Sequence, residues 1–205
     1  MELLEELAGV YATRVYLPFS ALARRWKILR NQWRGKEGEF VQSGTLPKTS
    51  WSACVQPRRI RLVETGKANG NVRISELAVL ANCAANAEGD GNVFEIGTFD
   101  GRTTLNLALN LRGKGKVFTL DLPPDEATIY DIEKGERHFV DKPAPGARYQ
   151  AAKESIPDTV MRIEQLHGDS AAFDYSEYEG TCALVFVDGS HAYDYAKSDT
   201  ETAMK

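Results

Sequence analysis

No run of about 18 apolar residues occurs in this 205-residue sequence, so no segment is expected to span a membrane as a helix. The opening MELLEELAG is acidic and lacks a basic stretch leading into a long apolar one, so no secretory leader is expected. Cysteine is scarce: Cys54, Cys83 and Cys182 stand far apart with no CxxC spacing. That excludes a thiolate zinc cluster and a disulfide framework, and it suits a reducing, cytoplasmic compartment. No Gly-Lys-Ser/Thr follows a glycine loop, which removes P-loop chemistry. Positive charge is not in excess either; the net charge of −4 and pI near 5.5 give no reason to expect a nucleic-acid partner.

What remains is an ordinary globular composition, 42% hydrophobic and 26% charged, in a chain long enough for one core plus an appendage. The charge is unevenly spread. Residues 1–36 hold seven Lys/Arg against three Glu, whereas residues 37–205 hold 18 basic against 26 acidic side chains. The spacing predicts a weak helix over 1–16, an interruption at Pro18, and a second helix. In that helix Phe19, Leu22, Trp26, Leu29 and Trp33 recur at 3-4-3-4 intervals beside Arg24, Arg25, Arg30 and Arg34. Such a stripe, over residues 19–34, packs on its own domain, meets a second subunit, or lies as a peripheral contact on an anionic membrane surface. Residues 37–71 read as a linker with a short strand-like IRLVE, and residues 72–205 as the main domain.

From residue 75 the pattern is regular. A helix is expected over 75–87 with Ser75 as its cap, then a strand VFEI (93–96), a helix 103–111 and a strand KVFTLD (116–121). An insert over 122–160 carries five prolines and a short helix near 148–155. Strands MRIEQLHGD (161–169) and CALVFVD (182–188) and a helix from Tyr193 follow. Strands alternating with helices predict an α/β fold with a parallel, doubly wound sheet.

The chemistry is expected at the strand ends. The first loop is Gly97-Thr98-Phe99-Asp100-Gly101. A dinucleotide loop needs a further glycine where Phe99 stands, so that a pyrophosphate can approach the backbone; Phe99 therefore argues against NAD and an NAD-dependent oxidoreductase. A turn at Gly97 and a helix start after Gly101 suit a carboxylate instead. Asp121, 24 residues beyond Gly97, ends the second strand where an acid can accept two hydrogen bonds from a ribose diol. Asp169 and Ser170 end the third strand within reach of an adenine amino group. A carboxylate turn, a ribose acid and an adenine reader describe a nucleoside carrying an amino acid.

The run FEIGTFDGRTT, VFTLDLP, LHGDS and VFVDGSHAYDYAKSD resembles class I S-adenosylmethionine-dependent methyltransferases. It is closest to a small-molecule O-methyltransferase-like group whose fourth strand ends in VDGSH. The resemblance covers roughly residues 70–205. It implies a Rossmann-like, mostly parallel sheet, with the first four strands present in the order 3-2-1-4, preceded by an N-terminal helical segment. It implies the cofactor S-adenosylmethionine, held by Glu95, Gly97, Thr98, Phe99, Gly101, Asp121, Leu122, Asp169, Ser170 and Asp188. It also implies methyl transfer to a small-molecule acceptor through an oxygen nucleophile.

Asp188 would face the methyl group. Asp188 or His191 could serve as general base, or both as ligands of a divalent metal that nothing else in the sequence supports. The plainer reading of Asp188-Gly189-Ser190-His191 is a strand-to-helix turn. The insert would cover the site and supply substrate contacts, with Arg137, Arg148 and Tyr149 as candidate lid residues. The resemblance also leads one to expect further strands after Lys205, so that the chain reads as C-terminally truncated. That leaves a non-catalytic cofactor-binding or scaffold protein as the alternative to an enzyme.

Overall fold

Four short runs rich in Val, Phe, Ile and Leu form the centre of the molecule, described in a computed structural model at residues 2–33, 49–66, 72–87, 89–133, 135–141 and 145–205. They are β1 (Asn92–Ile96), β2 (Val117–Asp121), β3 (Ile163–His167) and β4 (Cys182–Val187). All pairings are parallel and the order is β3-β2-β1-β4. Glu95 lies opposite Thr119 on one side and Phe186 on the other. Asp121 lies opposite His167.

Side chains alternate between the two faces of this sheet. Val93 and Val117 pack with Leu107, Ala108 and Leu111 beneath α4 (Ile74–Asn86) and α5 (Arg102–Asn110). Phe94, Ile96 and Leu120 face the other way, toward Phe173, Tyr175 and Tyr178. On that face aromatic rings cluster; the Phe94–Tyr178 and Phe118–Tyr178 ring centroids lie 5.1 and 4.8 Å apart. α9 (Tyr193–Ala203) follows β4.

The N-terminal helix does not break at Pro18. α1 (Glu2–Val10) runs into a π-helical segment, Tyr11–Tyr16, and on into α2 (Leu17–Trp33). Proline has no N–H to offer the carbonyl four residues back. The wider turn absorbs this mismatch, with the Leu17 N–H reaching the Ala12 carbonyl five residues back.

Of the expected linker, residues 37–48 and 67–71 lie outside the described residues. The remainder holds a one-turn helix α3 (Trp51–Cys54) and an extended run whose Ile60 and Leu62 are buried with Ala12, Leu77, Ala78 and Ala81. Among the described residues this run joins no sheet; the Leu62 N–H donates to the Glu5 carbonyl at 3.1 Å, and asparagine side chains meet other backbone groups. Asn82 accepts from the Arg58 N–H at 2.8 Å. Asn110 accepts from the N–H of Arg61 and donates to its carbonyl (2.8 and 2.7 Å), and Asn106 does the same for Val63 (3.0 and 3.1 Å). Buried backbone groups need such partners, and the 106/110 spacing puts both amides on one face of α5.

The helix read as starting at Ser75 begins one residue earlier. Arg73 is its N-cap residue, and the Arg73 N–H donates to the Glu76 carboxylate at 2.7 Å. Among its described residues the insert forms short helices α6 (Arg137–Val140), α7 (Ala147–Ala151), continued by a 3-10 turn at Ala152–Glu154, and α8 (Pro157–Val160).

Candidate functional site

A cavity opens at the carboxyl ends of the four strands, where ligands of open α/β sheets bind. Its floor is Ile96 and Leu120, and its rim carries Gly97, Phe99, Asp121, Leu122, Asp169, Ser170, Asp188 and His191. Eight of the expected site residues therefore meet around one space. The insert contributes Ile132, Glu136, Phe139 and Val140 to the same wall, and α9 contributes Tyr195. Glu95, Thr98 and Gly101 do not line it.

The geometry of the first loop explains the division. Gly97 has φ +98°, and the Gly97 N–H donates to the Leu120 carbonyl at 2.8 Å. Phe99 adopts φ +49°, a conformation uncommon outside glycine. That turn is held by Asp121, whose Oδ1 accepts from the Thr98 and Phe99 N–H groups at 3.0 and 3.3 Å. Asp121 is thus the anchor of the loop as well as part of the cavity wall. The Phe99 ring meets Phe139 of the insert edge-on, with centroids 5.3 Å apart.

Gly101, φ +82°, begins α5 against the insert. A Cβ there would lie 2.6 Å from the Tyr149 ring and 2.7 Å from the Gly146 Cα. Arg148, from the same turn, bonds Asp100 at 2.6 Å and Glu64 at 2.6 Å. Arg148 and Tyr149, read as lid candidates, instead pin the insert to the loop. Arg137 donates to the Pro124 carbonyl at 2.7 Å.

Glu95 points to the opposite face of β1 from Ile96 and is fully buried. Its Oε2 accepts from the Thr104 and Thr119 hydroxyls at 2.5 and 2.6 Å. The Thr98 and Thr119 hydroxyls are 2.7 Å apart, and Gln165 donates to Thr98 at 3.0 Å. This network supports the loop from below. Burial pushes the Glu95 carboxyl up to about 8, against the hydroxyl hydrogen bonds that pull it down.

A stability prediction follows from that shift. The unfolded chain loses the Glu95 proton near 4.5 and the folded chain near 8, so between these values the folded state holds more protons. Stability must then fall as pH rises through the window, by up to about 5 kcal/mol for this group. Glu95→Gln keeps the shape without the charge and is expected to flatten the decline between about pH 6 and 8 in urea titrations. Parallel stability curves for the two proteins would sink the assignment.

Asp169 is 3% exposed, and both its oxygens are committed. Oδ1 accepts from Tyr195 Oη at 2.8 Å and the Ala171 N–H at 3.0 Å, and Oδ2 accepts from the Ile129 N–H at 2.7 Å. It ties the insert and α9 to the end of β3.

At the end of β4 the Asp188 N–H donates to the Ile96 carbonyl at 2.9 Å. Burial raises the Asp188 carboxyl to about 6, with nearby His191 opposing; burial likewise raises Asp121 to about 6. Glu136 fastens the following turn. It accepts from Ser190 Oγ at 2.8 Å and from the His191 N–H at 3.1 and 3.2 Å, and its Oε1 lies 2.5 Å from His191 Nδ1. Nothing in the sequence marks Glu136, an acid within a polar insert whose register against the 188–191 turn no local pattern sets. Among the described residues no group of three or more His, Cys, Asp or Glu could hold a metal ion.

A family profile described as a methyltransferase domain matches residues 94–205, more than half of the chain, and the chain belongs to that family. Among solved structures it is similar to the O-methyltransferase TomG from Streptomyces achromogenes, involved in tomaymycin synthesis and determined in complex with SAM. The identity is 22% and the TM-score 0.41, over 64% of this chain and 52% of that one. The chain thus spans about half the length of that protein. Comparison with curated proteins finds no match.

Proposed function

We propose that this chain binds S-adenosylmethionine in the cavity at the strand ends and directs its methyl group to an oxygen nucleophile on a small molecule. The observation that carries the reading is convergence: the loops after all four strands bring Gly97, Asp121, Ser170 and Asp188 to one space. The donor set fits the cofactor. Asp121 keeps Oδ2 without a hydrogen-bond partner among the described residues, as a ribose diol requires. Ile96, Leu120 and Leu122 offer apolar surface for an adenosyl group. The Phe99 ring stands where a pyrophosphate would need open backbone, which disfavours a dinucleotide. Asp169, already triply bonded, positions the Gly168–Ser170 turn, and Ser170 lines the cavity where the polar edge of the base would lie.

When bound, the cofactor supplies an activated methyl group, so the protein's share is placement and proton removal. Asp188 on the cavity wall, ionised above about pH 6, can accept a proton from an acceptor hydroxyl. His191, held at Nδ1 by Glu136, presents its other ring nitrogen as a second acceptor. The insert residues Ile132, Phe139 and Val140 close one side and exclude water from the reacting groups.

Calorimetry with S-adenosylmethionine and, separately, with NAD tests the binding half. Heat with the first and none with the second is expected. No heat with S-adenosylmethionine at roughly millimolar concentration, for protein shown to be folded, overturns the reading. Transfer of a radiolabelled methyl to a mixture of phenolic and other hydroxylated small molecules tests the second half. Binding without transfer would reduce the chain to a cofactor-binding protein.

A further inference from the structure

Among the described residues the apolar side of α2 beyond Leu17 has no partner. Leu17 packs against the Ala12–Ile60–Leu77 cluster, but past it α2 makes no substantial contact with another element among the described residues. Phe19, Leu22, Trp26, Leu29 and Trp33, which the heptad-like spacing would place in a core, are 56–95% exposed. A continuous apolar stripe of this size on a single helix requires an occupant.

The charge around the stripe identifies the kind. From Leu7 to Lys36 the sequence holds seven Lys/Arg and no Asp or Glu. The three acids that precede it are neutralised elsewhere, Glu2 and Glu5 by Arg61 and Glu6 by Arg59. Arg14, Arg25 and Arg30 are exposed and have no carboxylate partner among the described residues. At helical spacing Arg25 and Arg30 fall on either side of the stripe.

A second copy of the same helix would set cations against cations with no acid to relieve them. An anionic lipid surface meets both needs at once. Its acyl boundary takes the five apolar side chains, its interface suits indoles, and its headgroups take the arginines that flank them. Residues 37–205, 26 acidic against 18 basic, are repelled by the same surface, so contact is confined to the helical segment.

We propose that α2 is a membrane-surface anchor, lying in the headgroup region of an anionic bilayer with Phe19, Leu22, Trp26, Leu29 and Trp33 inward. This is independent of the chemistry at the strand ends.

Flotation with vesicles of phosphatidylcholine alone, and with about one-third phosphatidylglycerol, tests it. The full chain is expected to float with the anionic vesicles, to shift its tryptophan emission to the blue, and to lose binding as salt rises. The double variant Trp26→Glu/Trp33→Glu is expected to lose at least about tenfold in partitioning, and Arg25→Glu/Arg30→Glu to lose a similar factor. Both should keep the wild-type thermal transition and circular dichroism, because the altered side chains are exposed. Failure of the full chain to bind anionic vesicles overturns the proposal, as does binding that survives both substitutions. A stable dimer in sedimentation that the tryptophan substitutions dissociate also overturns it, since the stripe would then belong to a second copy.

Discussion

Gly97→Ala is expected to weaken S-adenosylmethionine binding by at least about tenfold and to destabilise the fold by about 3 kcal/mol. Two costs combine at this position. The backbone sits at φ +98°, where a side chain is strained in any surroundings. The added methyl would also overlap the Asp188 carbonyl oxygen and lie 2.7 Å from its carbon. Those are backbone atoms at the end of β4, fixed by the Asp188 N–H bond to Ile96, so no side chain can swing away to make room. Relief requires the ends of β1 and β4 to part, and that moves Asp188 on the cavity wall. Urea titration and calorimetry read the two effects separately. An alanine variant with unchanged stability and affinity would refute the close packing of these two strand ends.

The same few ångströms show which parts of the site were legible in the sequence. Strand-end residues were readable because topology alone sends them to one edge of a parallel sheet: Gly97, Asp121, Ser170 and Asp188 follow from strand order and length. The four strands and the helices α4, α5 and α9 followed from periodicity to within a residue or two. Glu95 carries a signal the loop motif hides. Side chains alternate along β1, so if Ile96 faces the cavity, Glu95 must face α5. Gly101 and Thr98 illustrate a different limit. Their roles depend on Tyr149 and Gln165, tens of residues away, and no local pattern encodes which long-range neighbour fills the space beside a glycine or a hydroxyl.

The N-terminal helix gave the opposite lesson. Its 3-4-3-4 stripe reads equally well for a buried and an exposed face, because periodicity reports amphipathicity and not the partner. The buried seam instead uses small residues, Ala8, Gly9 and Ala12, and a Cβ at Gly9 would lie 3.0 Å from Ile60 Cγ1. The segment IRLVE (60–64) was visible as strand-like but not as a strand without a sheet. The signal that could have revealed it is the pair Asn106 and Asn110, two amides one turn apart on the face of α5 that also carries Arg102.

Asp188→Asn is expected to lower the methyl-transfer rate by roughly a hundredfold or more while leaving S-adenosylmethionine affinity within a few-fold of wild type. Asparagine keeps the size and the backbone N–H bond to Ile96 but cannot take a proton. The pH dependence supplies the sign. Burial raises the Asp188 carboxyl to about 6, so the base form grows as pH rises through that value and the wild-type rate should rise with it. The asparagine variant should lack that limb. His191→Ala and Glu136→Gln separate the two candidate bases. If Asp188 takes the proton, losing His191 or its Glu136 tether costs about tenfold or less, through the loosened 188–191 turn, and the limb near pH 6 remains. If His191 takes it, His191→Ala is the more damaging change of the two. A rate for Asp188→Asn equal to wild type at every pH would remove Asp188 from the chemistry and leave it the end of β4 that Gly97 packs against.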